Sequence, residues 1–369
     1  MRITQIVPSL EARFGGPSRS VRGLSGGLAQ NGHVVELITT GNLEESASIE
    51  NLTIRAFPRQ MPVSIARSNA LRRHLVTRSQ DLIHHHALWQ RTLHYAHSAA
   101  TLSGVPLVLS PRGMMSPWAW NYHRSKKQIA SWFIHPGAFA AVDGWHATSE
   151  AEADDIRNLG FIQPICVSPN GVLPPILADE QAAAVHWRNA CSALAGRRVA
   201  LFYSRFHSKK RVLELISLWA SAPRGDWILL LVGIPEEYSV AQLKAAARNA
   251  GAENSMIVAD GAGAPMPYAV ADLVLLPSHS ENFGLVVTEA LARGVPVLTT
   301  DTTPWAQLDV IGAGHCVPWN RFGASLANLL IEPADTLRAR GQIGARWVET
   351  EFSWSGAART LADFYSSLR

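Results

Sequence analysis

Two glutamates eight positions apart, Glu281 and Glu289, stand in PSHSENFGLVVTEALARGVPVLTT (277–300), a run that is otherwise apolar and helix-forming. Glutamate is rarely fully buried without a partner, so carboxylates in so hydrophobic a segment imply something to hold. Carboxylates are good acceptors for the vicinal hydroxyls of a sugar. A helix rises about 1.5 Å per residue, which puts positions eight apart roughly 12 Å apart along its axis and about 80° beyond two full turns. A strict helix would therefore misalign the two side chains. With Glu281 in the loop ahead of the helix, it can point into a cleft while Glu289 reaches from the second turn. Gly284 frees the backbone near the helix start, where a phosphate can meet unpaired N–H groups between the carboxylates.

Two other loops have the residue types that bind phosphate. In YSRFHSKKR (203–211), Arg205 and Lys210 follow an apolar strand, separated by a short polar stretch. Arginine offers a planar bidentate fork to phosphate and lysine a compact charge; a basic surface loop is the plainer reading, but the place at a strand end favours a diphosphate clamp. Gly15 and Gly16, after the first strand, allow backbone to approach a ligand closely, although a simple tight turn explains them equally. Neither G-x-G-x-x-G nor G-x-x-x-x-G-K-[ST] occurs, which disfavours a dehydrogenase or a P-loop enzyme.

The elements that must carry these loops alternate strand and helix. RITQIVPSL, HVVELITT, LTIRAF, DLIHHH, VPLVLS, GWHATS and PICVSPNGV read as strands with helical runs among them. The alternation restarts at RVALFYS and continues through DWILLLVG, SMIVADG, ADLVLLPS and PVLTT. This predicts an α/β protein of two doubly wound, Rossmann-like domains facing across a cleft, residues 1–173 and 174–353. The alanine-rich stretch after Pro174 and Pro175 reads as the connection between them, and residues 354–369 as a final amphipathic helix. Ligands in such sheets sit beyond the carboxyl ends of the strands, where all three loops lie.

Glu281 and Glu289 at this spacing, the Arg205/Lys210 loop, the glycine pair and PNGV at 169–172 together resemble the retaining glycosyltransferases of family 4. The resemblance covers essentially the whole chain and implies the GT-B fold, with the C-terminal helix crossing back to the N-terminal domain. It implies an N-terminal acceptor-binding domain and a C-terminal domain for a nucleotide-sugar donor. On this chain, Glu289 would hold ribose hydroxyls and Glu281 the transferred sugar. Backbone N–H groups of Asn282, Phe283, Gly284 and Leu285 would meet sugar or phosphate, Arg205 and Lys210 would neutralise the departing diphosphate, and Gly15 and Gly16 would approach it from the other domain. No metal or other cofactor is implied. The chain departs from the family where Arg211 replaces a glycine after the lysine, and where Arg112 replaces a sugar-facing histidine. Arg112 and His86 are assigned to the acceptor side, Arg112 as a cation for phosphate.

Composition bounds the alternatives. With 369 residues, 47% hydrophobic and 17% charged, the chain is globular and large enough for two domains. The cysteines Cys166, Cys191 and Cys316 lack metal-site or disulfide spacing, and no apolar run suits a signal peptide or a membrane span; a cytoplasmic setting is expected. His84-His85-His86 lacks companion ligands, and a metal site is not expected there. Net charge is only +4, yet between Glu50 and Asp143 Asp81 is the sole acid among eleven lysines and arginines. That basic interval, with Trp118, Trp120, Tyr122, Trp132 and Phe133 interleaved, suits a peripheral site on an anionic inner membrane leaflet beside a lipid-linked acceptor. Nucleic acid is not an expected partner. The expected function is sugar transfer from a nucleotide sugar to a glycan or lipid-linked acceptor in bacterial surface-polysaccharide or glycolipid assembly. Alternatives are a sugar-nucleotide epimerase of the same architecture and a non-catalytic nucleotide-sugar or nucleic-acid binding protein.

Overall fold

The computed structural model describes residues 1–11, 16–42, 48–121 and 124–369. It divides into two compact units, Met1–Gly171 with Ser353–Arg369, and Val172–Phe352. The division falls two residues earlier than the prolines suggest. The reason is a hydrogen bond from the Val172 N–H to the Phe352 carbonyl at 2.7 Å, which pairs the strands of chain entering and leaving the second unit.

The first unit holds strands β1 (Arg2–Ile6), β2 (Val34–Thr40), β3 (Leu52–Phe57), β4 (Leu82–His86), β5 (Leu107–Ser110), β6 (Gly144–Ala147) and β7 (Ile165–Val167). They form one parallel sheet in the order β3-β2-β1-β4-β5-β6-β7. The second unit holds β8 (Arg198–Tyr203), β9 (Trp227–Gly233), β10 (Met256–Asp260), β11 (Leu273–Leu276), β12 (Val297–Thr300) and β13 (Gly314–Val317), parallel in the order β10-β9-β8-β11-β12-β13. Strands buried on both faces read as unbroken apolar runs; every residue of β9, WILLLVG, is buried. In each sheet the order reverses beside the first strand, at β1/β4 and at β8/β11. Loops leaving adjacent strands diverge there and leave a crevice.

The alanine-rich stretch is more than a connection. It forms the helix Leu177–Ala190 of the second unit, where the buried Trp187 donates to the Pro265 carbonyl at 2.9 Å. The last helix, Trp354–Ser367, belongs to the first unit and starts at Ser353, whose Oγ accepts from the Gly356 N–H. It lies against the helix Gly16–Gln30 because glycines leave room for Trp354: a Cβ on Gly27 would stand 2.4 Å from the Trp354 carbonyl oxygen, and one on Gly171 2.4 Å from its nitrogen.

Candidate active site

In the second unit the β8/β11 reversal brings together the two loops singled out by their charges. β8 runs into Ser204–Arg211 and β11 into Pro277–Gly284. Lys210 and Glu281, 71 positions apart, form an ion pair at the crevice, both largely buried. Ser278 donates to the same Glu281 oxygen at 2.7 Å. Burial alone would raise the Glu281 carboxyl, but the Lys210 charge and the hydrogen bonds from Lys210 and Ser278 hold it below its ordinary value. Lys209 lies within reach of the Glu281 field, and burial depresses its ammonium.

The helix Leu285–Leu291 begins after Gly284, whose φ of +79° is the left-handed conformation that glycine adopts without strain. Glu281 thus lies in the loop and Glu289 in the second turn. Glu289 is buried and accepts from the Tyr268 hydroxyl at 2.7 Å; Arg293 donates to its carbonyl at 3.0 Å and stacks over the Tyr268 ring. Phe283 packs on Trp305, whose indole N–H donates to the Phe283 carbonyl. Thr300, the last residue of β12, and Thr302 just beyond it both donate to the Ser278 carbonyl. Among the described residues, the N–H groups of Phe283, Gly284 and Leu285 meet no protein acceptor.

Arg205 is not drawn to Lys210. Its guanidinium pairs with Glu236 at 2.8 Å, and both side chains are well exposed. Arg211, where the family resemblance leads one to expect glycine, does occupy a left-handed position, φ +51°. Its side chain compensates by stacking over Trp319 and donating to His279 and the Pro277 carbonyl, which ties the β8 loop to the β11 loop.

In the first unit, Gly16 opens the helix Gly16–Gln30, while Gly15 lies outside the described residues. His86 is fully buried, with one ring nitrogen on Gln5 at 2.5 Å and the other on Arg112 at 3.0 Å. Its place at a strand end led to the expectation that it lines the acceptor side; instead it is withdrawn from any surface and holds Arg112. Arg112 follows β5 with φ +56°, only 9% exposed, and donates to the Asn170 side chain at 2.8 Å. Burial lowers its guanidinium to about 10. His84 and His85 are equally buried, each with both ring nitrogens hydrogen-bonded.

Residues 14–174 match the model of glycosyltransferase family 4, and residues 187–316 that of glycosyl transferases group 1. The chain is a family 4 glycosyltransferase. Among curated relatives, GDP-mannose:cellobiosyl-diphosphopolyprenol alpha-mannosyltransferase of Komagataeibacter xylinus is 27% identical over 286 residues, 68% of this chain and 67% of the relative. D-inositol 3-phosphate glycosyltransferase of Xylanimonas cellulosilytica is 30% identical over 246 residues, 62% of this chain and 57% of the relative. Among solved structures, Anabaena HepE in complex with UDP and glucose superposes with a TM-score of 0.76 at 19% identity, covering 100% of both chains. The fold is GT-B.

Several residues of this glycosyltransferase's site escaped the sequence reading: Lys209, Tyr268, Ser278, His279 and Trp305. Lys209 adjoins Lys210, and Ser278 and His279 lie within the stretch 277–300 already quoted; Tyr268 and Trp305 carried no signal, because only folding brings them to Glu289 and Phe283. A cavity of about 600 Å³ opens at the opposite, amino ends of the strands, lined by Arg198, Tyr268, Asp272 and Arg293. It shares Tyr268 with Glu289 but lies away from Lys210 and Glu281.

Proposed function

We propose that this glycosyltransferase moves a sugar from a nucleotide-sugar donor to a glycan or lipid-linked acceptor, with retention of anomeric configuration and without a metal ion. The observation that carries the reading is the Lys210–Glu281 pair at the strand reversal, with Glu289 buried eight residues further on. An incoming diphosphate replaces Glu281 as the partner of Lys210 and so releases Glu281 to accept from sugar hydroxyls. Glu289 accepts from the ribose. The N–H groups of Phe283, Gly284 and Leu285, with Asn282, meet phosphate or sugar, and Arg205 exchanges Glu236 for a phosphate oxygen.

Charge developing on the leaving diphosphate is met by preorganised cations, which is where most of the rate effect arises; those cations are lysine and arginine, so no metal is called for. The acceptor hydroxyl attacks on the face that the diphosphate leaves, and a leaving-group oxygen takes its proton. Arg112 faces an anionic group of the substrates from the first unit. The protein works in surface-polysaccharide or glycolipid assembly at the inner face of the cytoplasmic membrane. The Komagataeibacter relative is a GDP-mannose-dependent mannosyltransferase by name, and the structural neighbour HepE binds UDP and glucose; both support a nucleotide sugar.

The test is thermal stabilisation of wild type and Glu289→Ala by uridine and guanosine diphosphates and their sugars. Ligand at a hundredfold excess over its dissociation constant adds about 2.7 kcal/mol, a rise of roughly 5–10 °C for a unit of this size. One base should give that rise and Glu289→Ala should abolish it; no rise with any nucleotide would sink the reading. The anomeric configuration of the product by NMR, and activity in excess chelator, decide retention and metal independence.

A further inference from the structure

Three histidines of the first unit, His84, His86 and His146, lie fully or nearly fully buried beside Tyr365 of the last helix. Their hydrogen bonds form one continuous line. Arg112 contacts His86 Nδ1 at 3.0 Å; His86 Nε2 meets Gln5 Oε1 at 2.5 Å; Gln5 Nε2 meets the Tyr365 hydroxyl at 3.3 Å. From Tyr365 the line continues to His84 Nδ1 at 2.6 Å, from His84 Nε2 to Ser110 Oγ at 2.8 Å, from Ser110 Oγ to His146 Nδ1 at 2.7 Å, and from His146 Nε2 to the Ser168 carbonyl at 3.0 Å.

Every proton in this line is dictated by its two ends. Arginine can only donate, so His86 Nδ1 accepts, His86 Nε2 carries the proton to Gln5, and the Gln5 amide must turn its NH₂ to Tyr365. A carbonyl can only accept, so His146 Nε2 is protonated and His146 Nδ1 accepts the single Ser110 proton. Ser110 then accepts from His84 Nε2, which leaves His84 Nδ1 to accept from Tyr365. The two halves meet at the Tyr365 hydroxyl, which accepts from Gln5 and donates to His84. All three histidines are neutral Nε2–H tautomers, in keeping with burial and the nearby Arg112 charge, which hold each of them far below an ordinary histidine.

The line ends on a cation without an anion. Among the described residues Arg112 makes no ion pair; its hydrogen-bond partners, His86 and Asn170, are neutral. Glu152, whose field reaches it, directs its oxygens to the Gly113 and Thr148 N–H groups. A buried charge is stable when paired, and the bonds to His86 and Asn170 leave one N–H on each terminal nitrogen of the fork. We propose that Arg112 holds a phosphate-class anion through that fork, and that Tyr365 is a positioning residue which sets the fork through Gln5 and His86. The last helix thereby tunes anion affinity from a residue that touches no substrate. This rests on the reading of Arg112 given above as the group facing an anion.

The experiment titrates inorganic pyrophosphate into the full-length protein by calorimetry, in a Lys210→Met background that removes the principal cation of the second unit. Arg112→Gln should weaken binding roughly tenfold or more, as for a lost charged hydrogen bond, and Tyr365→Phe about threefold to tenfold, as for a neutral one. Leu361→Ala, which trims a buried side chain of the same helix outside the line, should lower the melting temperature and leave affinity unchanged. Histidine ¹⁵N spectra should show three Nε2–H tautomers in wild type and a changed His86 signal in Tyr365→Phe. If Arg112→Gln binds normally, the anion reading of Arg112 fails. If Arg112→Gln weakens binding while Tyr365→Phe matches wild type, or Leu361→Ala matches Tyr365→Phe, only the positioning role fails. Displacement of pyrophosphate by UDP or GDP assigns the anion to the donor, and displacement by micellar polyprenyl phosphate to the acceptor; displacement by neither overturns the site.

Discussion

At the scale of single residues, Lys210 and Glu281 form a nearly buried ion pair. Removing one partner of such a pair strands the other charge, which costs about 3–5 kcal/mol. Glu281→Gln should therefore destabilise the second unit by about that amount at pH 7. The pH dependence has a definite sign. Glu281 is held below its ordinary value of 4.5, so its contribution is present above that pH and is lost as pH falls through its folded-state value. Urea denaturation of wild type and Glu281→Gln should show a wide gap at pH 7 that narrows below pH 4.5. A gap of constant width would mean that the pair does not titrate as a unit.

At the scale of elements, the site depends on how the β8 and β11 loops are joined, and Arg211 does much of the joining. Its left-handed backbone costs any residue with a Cβ about 1 kcal/mol; its contacts with Trp319, His279 and the Pro277 carbonyl offset that strain. Substitution separates the two terms. Arg211→Ala and Arg211→Gly both lose the side chain, but only glycine suits φ +51°. The alanine variant should be the less stable by about 1 kcal/mol in chemical denaturation. Equal stability, or the reverse order, would show that this turn carries no strain.

At the scale of the molecule, the basic interval between Glu50 and Asp143 is less of an open field than its composition implies. Arg55 and Arg78 both pair with the buried Glu36, and Arg59 with Glu11, two acids from outside the interval. Arg67, Arg72 and Arg73 stay exposed, and beside its charges the interval presents an apolar face. On the helix Arg124–Phe133, Ile129, Trp132 and Phe133 are exposed, the last two at 73% and 68%, whereas Trp120 packs on Trp89; the side chains of Trp118 and Tyr122 lie outside what the structure describes. No described helix is long and apolar enough to cross a membrane, and we propose that this face docks in the interfacial layer of an anionic bilayer. Flotation with anionic vesicles should carry the protein, neutral vesicles should carry less, and Trp132→Ala with Phe133→Ala should abolish it. Equal flotation of the double variant would place the contact elsewhere.

Local pattern and chain chemistry alone determined most of the fold: unbroken apolar strands demand cover on both faces, and strands alternating with helices demand parallel crossovers. They also placed Glu281 ahead of a helix and Glu289 in its second turn, because Gly284 marks the helix start. β13, GHCV, was not recognised, being short and lacking the β-branched run that marks its neighbours, and the alanine-rich helix was taken for a connection because its composition resembles one. Only tertiary structure decided which charges meet. Lys210 reaches Glu281 because the strand order reverses between β8 and β11, and no local pattern encodes strand order. Arg205 turns to Glu236, and His86 is withdrawn into the first unit to hold Arg112, because ion pairs and buried hydrogen bonds are settled by neighbours distant in sequence. Tyr365 lies 281 positions from His84; the hydrogen-bond line between Arg112 and the Ser168 carbonyl closes through that contact, and nothing short of the folded chain brings it about.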